Sequence, residues 1–432
     1  MRIDRLKLRH FKGFDSAEFS FHPQFNLLVG RNGSGKTSVL NALAVAAGSW
    51  FLGIRGSKTR HIGSEEVQLE QVATLDSGHW EARVPCEVWA QGVVQGASLQ
   101  WLRSINRPGG RTTYGGAGAI KALAARVDEA VRRGSSVELP LIAYYGAGRL
   151  WQEPREYRTK SPEKAAGKQE QSRFTGYEFS TDSRLSVSQL TRWVARQSWM
   201  AFQKNGQYSP GFKAAKQAIV NCVDGATDLV FDAQYGEVVL DTDTGRQPFS
   251  NLSDGQRGML AMVGDIAQKA ARLNPHLEGE ALKETPGVVL IDELDLHLHP
   301  LWQRRVVEDL RRTFPAIQFI CTTHSPFLIQ ALRSGEELIM LEGQPTADVA
   351  HMPVEDIAQG IMGVPNPRVS LRYEQMSGVA KHYLEVLEEA AKAPEDTLED
   401  YKARLAEDIA PYAANPAFQA FLEMQRLAKL GD

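Results

Sequence analysis

Eight residues constrain this chain more than any others. Gly30-Arg31-Asn32-Gly33-Ser34-Gly35-Lys36-Thr37 fits the pattern G-x-x-x-x-G-K-[ST] without deviation. Phe25 to Val29 before it reads as a buried strand, and Thr37 to Ala47 after it as a helix, which is the context a phosphate-binding P-loop requires. The residue types follow from the chemistry. Glycines let successive backbone N–H groups curl around phosphate oxygens, and the helix N-terminus adds its partial positive charge. Lys36 reaches the β and γ oxygens, and the Thr37 hydroxyl ligates Mg²⁺. A strand feeding such a loop belongs to an α/β sheet.

The second half of such a site is Val288-Val289-Leu290-Ile291-Asp292-Glu293. Four apolar residues form a buried strand that delivers two carboxylates to its C-terminal end, where ligands collect in these sheets. Asp292 is expected to hold Mg²⁺ through water, and Glu293 to orient the attacking water and act as general base. Strand and helix patterns alternate from 248 to 332, and a further strand is expected over Glu337 to Leu341. Around this core, residues 2–8 and 16–21 read as strands, and 66–76 with 80–90 as an antiparallel pair in a β-subdomain beside the nucleotide. Residues 117–133 read as helix and 139–145 as a buried strand. Residues 152–173 read as a charged mobile loop, 184–222 as a helical lobe, and 228–240 as strands turning near Tyr235-Gly236.

Leu252-Ser253-Asp254-Gly255-Gln256-Arg257 precedes Asp292, and taken alone it is ordinary turn or N-cap chemistry. Placed between the P-loop and the Asp-Glu strand, it resembles the signature motif of ABC and SMC ATPases, with Asp254 where Gly is usual. The resemblance implies that Ser253, Asp254, Gly255 and Gln256 contact the γ-phosphate of ATP held by another subunit. Asp295 follows Glu293 as a D-loop residue does, and Phe319-Ile320-Cys321-Thr322-Thr323-His324-Ser325 resembles a strand ending in the switch histidine, which makes His324 a γ-phosphate sensor. Gln152 is a candidate for the Gln loop that reaches the metal, with Tyr145 and Arg149 as alternative links to the nucleotide. Arg9, Phe11 and Lys12 resemble the segment near adenine and ribose, and Arg60 an arginine loop. His297 and His299 have no third ligand in the pattern and read as the entry to a helix rather than a metal site.

RLKLRHFKGFDSAEFSFHPQFNLLVGRNGSGKT resembles RecF, SMC and OLD-type heads, and LIDELDLHLHPLWQRRVV with FICTTHSPFLI resembles OLD-like and PtuA-type ATPases, as does LPLIAYYGAGRLW. The resemblance implies an α/β ABC/SMC-type head: a P-loop sheet with an antiparallel β-subdomain, a helical lobe and a helical C-terminal region. The parts expected are 1–150, 151–247, 248–345 and 346–432. The interval between Lys36 and Ser253 is too short for an SMC arm, and no Asp-x-Asp pair follows Leu341-Glu342-Gly343 to make a Toprim domain. The family resemblance further implies ATP and Mg²⁺ as cofactors and a head-to-tail homodimer or higher homo-oligomer. It also implies a role beside a separate effector in anti-phage defence, such as the HNH nuclease of Septu systems. The alternative is a RecF-like DNA-binding ATPase in repair.

Composition sets limits on partners. Net charge is −3, so any nucleic-acid contact needs a local basic patch. Cys86, Cys222 and Cys321 lie far apart and have no zinc spacing. They read as reduced, buried thiols of a cytoplasmic protein. No secretory signal or membrane-spanning run is seen. Residues 385–408 are acidic, and Phe418, Phe421, Leu422, Met424, Leu427 and Leu430 recur at helical spacing near the end.

Overall fold

The computed structural model describes residues 1–72, 79–149, 172–223, 225–342, 349, 352–392, 403 and 416–430. The chain opens on an antiparallel hairpin, β1 (Arg2–Phe11) and β2 (Phe14–Ser20), then enters β3 (Phe25–Val29), the P-loop and α1 (Lys36–Ala47). β4 (Leu69–Val72) and β5 (His79–Ala82) form a two-stranded ribbon. β6 (Cys86–Val94) and β7 (Ala97–Ile105) complete a four-stranded antiparallel sheet in the order β2-β1-β6-β7. After α2 (Gly118–Arg132) and β8 (Leu141–Tyr145) come α3 (Val187–Gln203) and α4 (Pro210–Cys222), then a three-stranded antiparallel sheet of β9 (Ala226–Asp232), β10 (Glu237–Thr242) and β11 (Gly245–Pro248). α5 (Asp254–Leu273), β12 (Gly287–Ile291), α6 (Val306–Thr313), β13 (Ile317–Thr322) and β14 (Leu338–Met340) close the ATPase-like part.

Five strands make one parallel sheet in the order β14-β3-β13-β12-β8. β3, β8, β12 and β13 are buried along their whole length. This is why they read as nearly continuous apolar runs: helices and the second sheet cover both faces. Two polar residues break the runs, and both are satisfied. Asn26 accepts from His22 N at 2.6 Å and donates to His22 O and Phe319 O, while Gln318 pairs with both backbone groups of Ile3 at 2.8 Å. Near the β14 edge, buried Arg311 on α6 donates to buried Glu337 at 2.6 Å and lies over the Phe25 ring. Removing one partner alone would strand a buried charge at a cost of about 3–5 kcal/mol.

β1 and β6 alternate buried and accessible residues, as strands packed on one face do. The expected pairing of 66–76 with 80–90 is found only for β4 with β5. At Pro85, which has no N–H to donate, the chain leaves the ribbon, and β6 pairs with β1 and β7 instead. Residues 73–78 lie outside those described. The helical lobe is also divided. Asn205 and Gly206 take positive φ, and Ser209 caps a new helix with Pro210 in its first turn. Trp193 is buried against Phe212, whereas Trp199 and Phe202 are exposed and stacked on each other.

Contacts divide the chain into two compact units, Met1–Ile357 and Ala358–Asp432. The second unit contains α7 (Leu371–Ala390) and α8 (Pro416–Leu430), joined by a small core of Tyr383, Val386, Leu387 and Leu422 with Phe418 beside it. The expected apolar stripe thus packs on the neighbouring helix through Phe418 and Leu422, while Phe421, Met424 and Leu427 stay exposed. Of the acidic run, Glu385, Glu388 and Glu389 lie on α7, and Glu388 pairs with Lys429. Glu395, Asp396, Glu399, Asp400, Glu407 and Asp408 lie outside the described residues. All three cysteines are buried and free, with burial pushing Cys86 up to about 12 and Cys222 up to about 11. Among the described residues, no helix is long and apolar enough to cross a membrane.

Candidate nucleotide-binding site

β3, β13, β12 and β8 run parallel, so their C-terminal ends meet at one edge. The loop Gly30–Gly35, the Asp292-Glu293 pair, Thr322 and Tyr145 all lie at that edge. The sheet order sets β13 between the P-loop strand and the acidic strand. α1 then carries Thr37 across, and its hydroxyl donates to Asp292 Oδ2 at 2.9 Å.

The loop has the form of an anion cradle. Gly33 and Gly35 take φ of 85° and 100°, a region that disfavours any side chain. A Cβ on Gly35 would also come within 2.5 Å of the Phe14 ring at the β1–β2 hairpin. α1 has no side-chain cap and no acidic residue in its first turn, so its N-terminal N–H groups face the loop uncontested. Ser34 Oγ is buried with no hydrogen-bond partner, a donor-acceptor group suited to a phosphate oxygen. Lys36 folds back on its own loop and donates to Gly30 O at 2.7 Å and Arg31 O at 2.9 Å. Burial lowers its pKa, and Asp292, Glu293, Glu342 and Asp295 oppose that shift. Arg31 and Asn32 are exposed at the loop tip, with Arg31 facing Glu342 at 3.8 Å. These groups fit a nucleotide's phosphates, and Thr37 beside Asp292 fits a hydrated Mg²⁺.

Asp292 is buried, and its second oxygen accepts from Thr322 Oγ1 at 2.7 Å. Glu293 follows with φ of 50°. A non-glycine residue in that region costs about 1–3 kcal/mol and persists only where its surroundings over-determine it. Asp295 accepts from Thr323 Oγ1 at 2.6 Å and from His324 N at 3.4 Å, which links the loop after β12 to the segment after β13. His324 itself is exposed. Thr322 and Thr323 are the site residues that sequence reasoning left without a role. Their signal was two hydroxyls between a buried strand and a histidine.

Ser253 is the N-cap of α5 in a reciprocal capping box: its Oγ accepts from Gln256 N at 3.3 Å, and Gln256 Oε1 accepts from Ser253 N at 3.2 Å. Asp254 pairs with Arg257. Gly255 has no room for a side chain, since a Cβ would meet His297 O at 2.5 Å. The start of α5 is thus seated on the loop after Asp295. His299 caps the short helix Pro300–Gln303, as expected of a helix entry.

The remaining candidates are placed as follows. Phe11 is fully buried and cannot face a base, whereas half-buried Phe14 lies against the P-loop. Arg60 is engaged by Glu66 and Asn41, which braces α1. Tyr145 is buried and donates to Asp265 on α5 at 2.7 Å, and Arg149 sits behind Asp292 and Glu293. Gln152 lies outside the described residues.

Comparison with known proteins finds ATPase relatives. Residues 132–330 match the family model described as "AAA domain, putative AbiEii toxin, Type IV TA system", and residues 5–205 match one described as "AAA domain". The chain carries an AAA-type ATPase domain, a nucleotide-binding module. Within that class it is related to retron ATPases and to the Septu protein PtuA. It is 24% identical to the "Retron Ec83 probable ATPase" of Escherichia coli over 407 residues, covering 80% of this chain and 72% of that one. It is 23% identical to the Septu protein PtuA of Bacillus thuringiensis over 431 residues, covering 96% and 95%. Among solved structures, the SMC head domain from Thermotoga maritima aligns over 79% of this chain and 94% of that chain, at 17% identity and a TM-score of 0.42.

Proposed function

We propose that this protein binds Mg-ATP at the sheet edge and hydrolyses it to ADP and phosphate, with a second copy of the chain completing the site. One observation carries the reading: Thr37 and Asp292, 255 positions apart, meet at 2.9 Å beside a glycine cradle and Lys36. Bound Mg²⁺ would neutralise charge on the β and γ oxygens. Gly30 to Gly35 offer backbone N–H groups to the phosphates, and Lys36 swings from its loop carbonyls to the γ oxygens. Glu293 orients a water and takes its proton as the water oxygen attacks phosphorus and ADP leaves. His324 contacts the γ-phosphate, and Asp295 ties it to the D-loop. From the second copy, Ser253 and the N-terminus of α5 meet the same γ-phosphate, with Gly255 and Gln256 shaping the approach and Asp254 held aside by Arg257. Lys36→Ala should weaken ATP binding by about 10- to 150-fold, the worth of one or two charge-assisted hydrogen bonds. Titration with a fluorescent ATP analogue measures this, and unchanged affinity would show that ATP binds elsewhere.

The kinship with PtuA and retron ATPases supports an ATP-driven switch in phage defence that acts on a separately encoded nuclease, of HNH type. The second unit, Ala358–Asp432, has its own small core and exposed Phe421, Met424 and Leu427. It is the proposed recruiting region. Deleting residues 358–432 should leave a soluble ATPase that no longer co-purifies with the product of a neighbouring nuclease gene. Retained co-purification would place the interface elsewhere.

A further inference from the structure

The backbone around Glu293 is held by named groups on both sides. Asp292 N donates to Tyr145 O at 2.7 Å, Glu293 N to Thr322 Oγ1 at 2.7 Å, and Leu294 N to Thr322 O at 2.9 Å. The carbonyls of Asp292 and Glu293 flank the same Cα, and a single side chain donates to both, with Glu293 O also accepting from Leu296 N at 3.1 Å. Arg149 Nη1 donates to Asp292 O at 2.8 Å and Nη2 to Glu293 O at 3.2 Å, with a third bond from Nη1 to Gly146 O at 3.3 Å. Arg149 is only 5% exposed, and its own backbone is pinned by Gly146 O and Leu185 N.

These two carbonyls lie on either side of the Glu293 Cα. Holding both with one planar fork fixes φ and ψ of that residue together, which a lysine, with a single nitrogen, cannot do in the same geometry. Glu293 has the left-handed backbone that needs such support, with φ of 50°. Its Cα–Cβ direction, and so the reach of its carboxylate, follows from those two angles.

We propose that Arg149 is a positioning residue for hydrolysis: it clamps the peptide planes flanking Glu293 and so aims the carboxylate at the attacking water. This rests on the reading of Glu293 as the water-activating group. Arg149 supplies orientation and takes no part in ATP binding. A small misplacement of a catalytic group can cost on the order of 10²-fold in rate. Burial lowers the pKa of the guanidinium, while Asp292, Glu293 and Asp295 work against that.

The test measures ATP affinity and single-turnover hydrolysis for Arg149→Gln, Arg149→Lys and Glu293→Gln, and for Arg149→Gln combined with Glu293→Gln. Both Arg149 variants should keep affinity within about threefold and lose about 10²-fold in rate. In the Glu293→Gln background, Arg149→Gln should cost nothing further, because the clamp acts only through that carboxylate. Added guanidinium should restore part of the rate of Arg149→Gly. If Arg149→Gln fails to fold, Arg149→Lys, which keeps charge and stem, decides the matter alone. A normal rate in Arg149→Lys, or a further loss in the double variant, overturns the proposal. Normal hydrolysis by Glu293→Gln itself would overturn instead the reading of Glu293 on which it rests.

Discussion

Glu293→Gln is expected to keep ATP bound while hydrolysis falls by about 10²- to 10⁴-fold, the usual contribution of a positioned general base. Thr37, Asp292 and Lys36 are all unchanged, so the proposed phosphate and metal contacts survive. Glutamine is nearly the same size and can adopt the same left-handed backbone, because the bonds that hold it run to its N–H and carbonyl and not to its side chain. Only the proton acceptor is lost. The measurement is ATP affinity beside steady-state phosphate release. Normal turnover would place the base on another residue.

Replacing Ser253 with arginine is expected to abolish hydrolysis to a similar degree while leaving ATP bound to the single chain. Ser253 is exposed, and its bonds lie within its own capping box with Gln256, so its hydroxyl and helix N-terminus are available to a second copy. Losing the cap costs about 1 kcal/mol, too little to unfold a domain of ordinary stability, about 5–15 kcal/mol. Ser253→Asp separates the two effects. It restores a good N-cap yet sets a negative charge against the proposed γ-phosphate, so it should lose hydrolysis at unchanged melting temperature. Normal hydrolysis by both variants would refute the shared site. Dimer size alone is a weaker readout, since two copies held through another surface would close without changing mass.

The two halves of the site were legible in the sequence for different physical reasons. The P-loop is local: its glycines need positive φ, and Gly33 and Gly35 adopt it. Lys36 and Thr37 follow in a register fixed by the turn. The acidic strand was legible because a parallel strand covered on both faces must be apolar throughout and can end in carboxylates only at the sheet edge. Buried runs such as Val288 to Ile291 state this directly. The antiparallel β1 was readable from its alternation, whereas the partner of β6 was not, because strand pairing depends on which edge is free and not on local pattern.

By itself, then, the sequence determined the α/β class, the glycine-rich loop between β3 and α1, and the carboxylate pair at the end of β12, since each follows from local backbone geometry or from burial periodicity. Tertiary structure alone decided that β13 separates the P-loop strand from the acidic strand, so that Thr322 reaches Asp292. It also buried Phe11, set Phe14 against the loop instead, and turned Arg149 behind Glu293 to fasten two carbonyls. Those contacts join residues up to 144 positions apart. No spacing rule carries such information, because a hydrogen bond between distant residues depends on sheet order and register, which the whole chain sets by burying its apolar faces together.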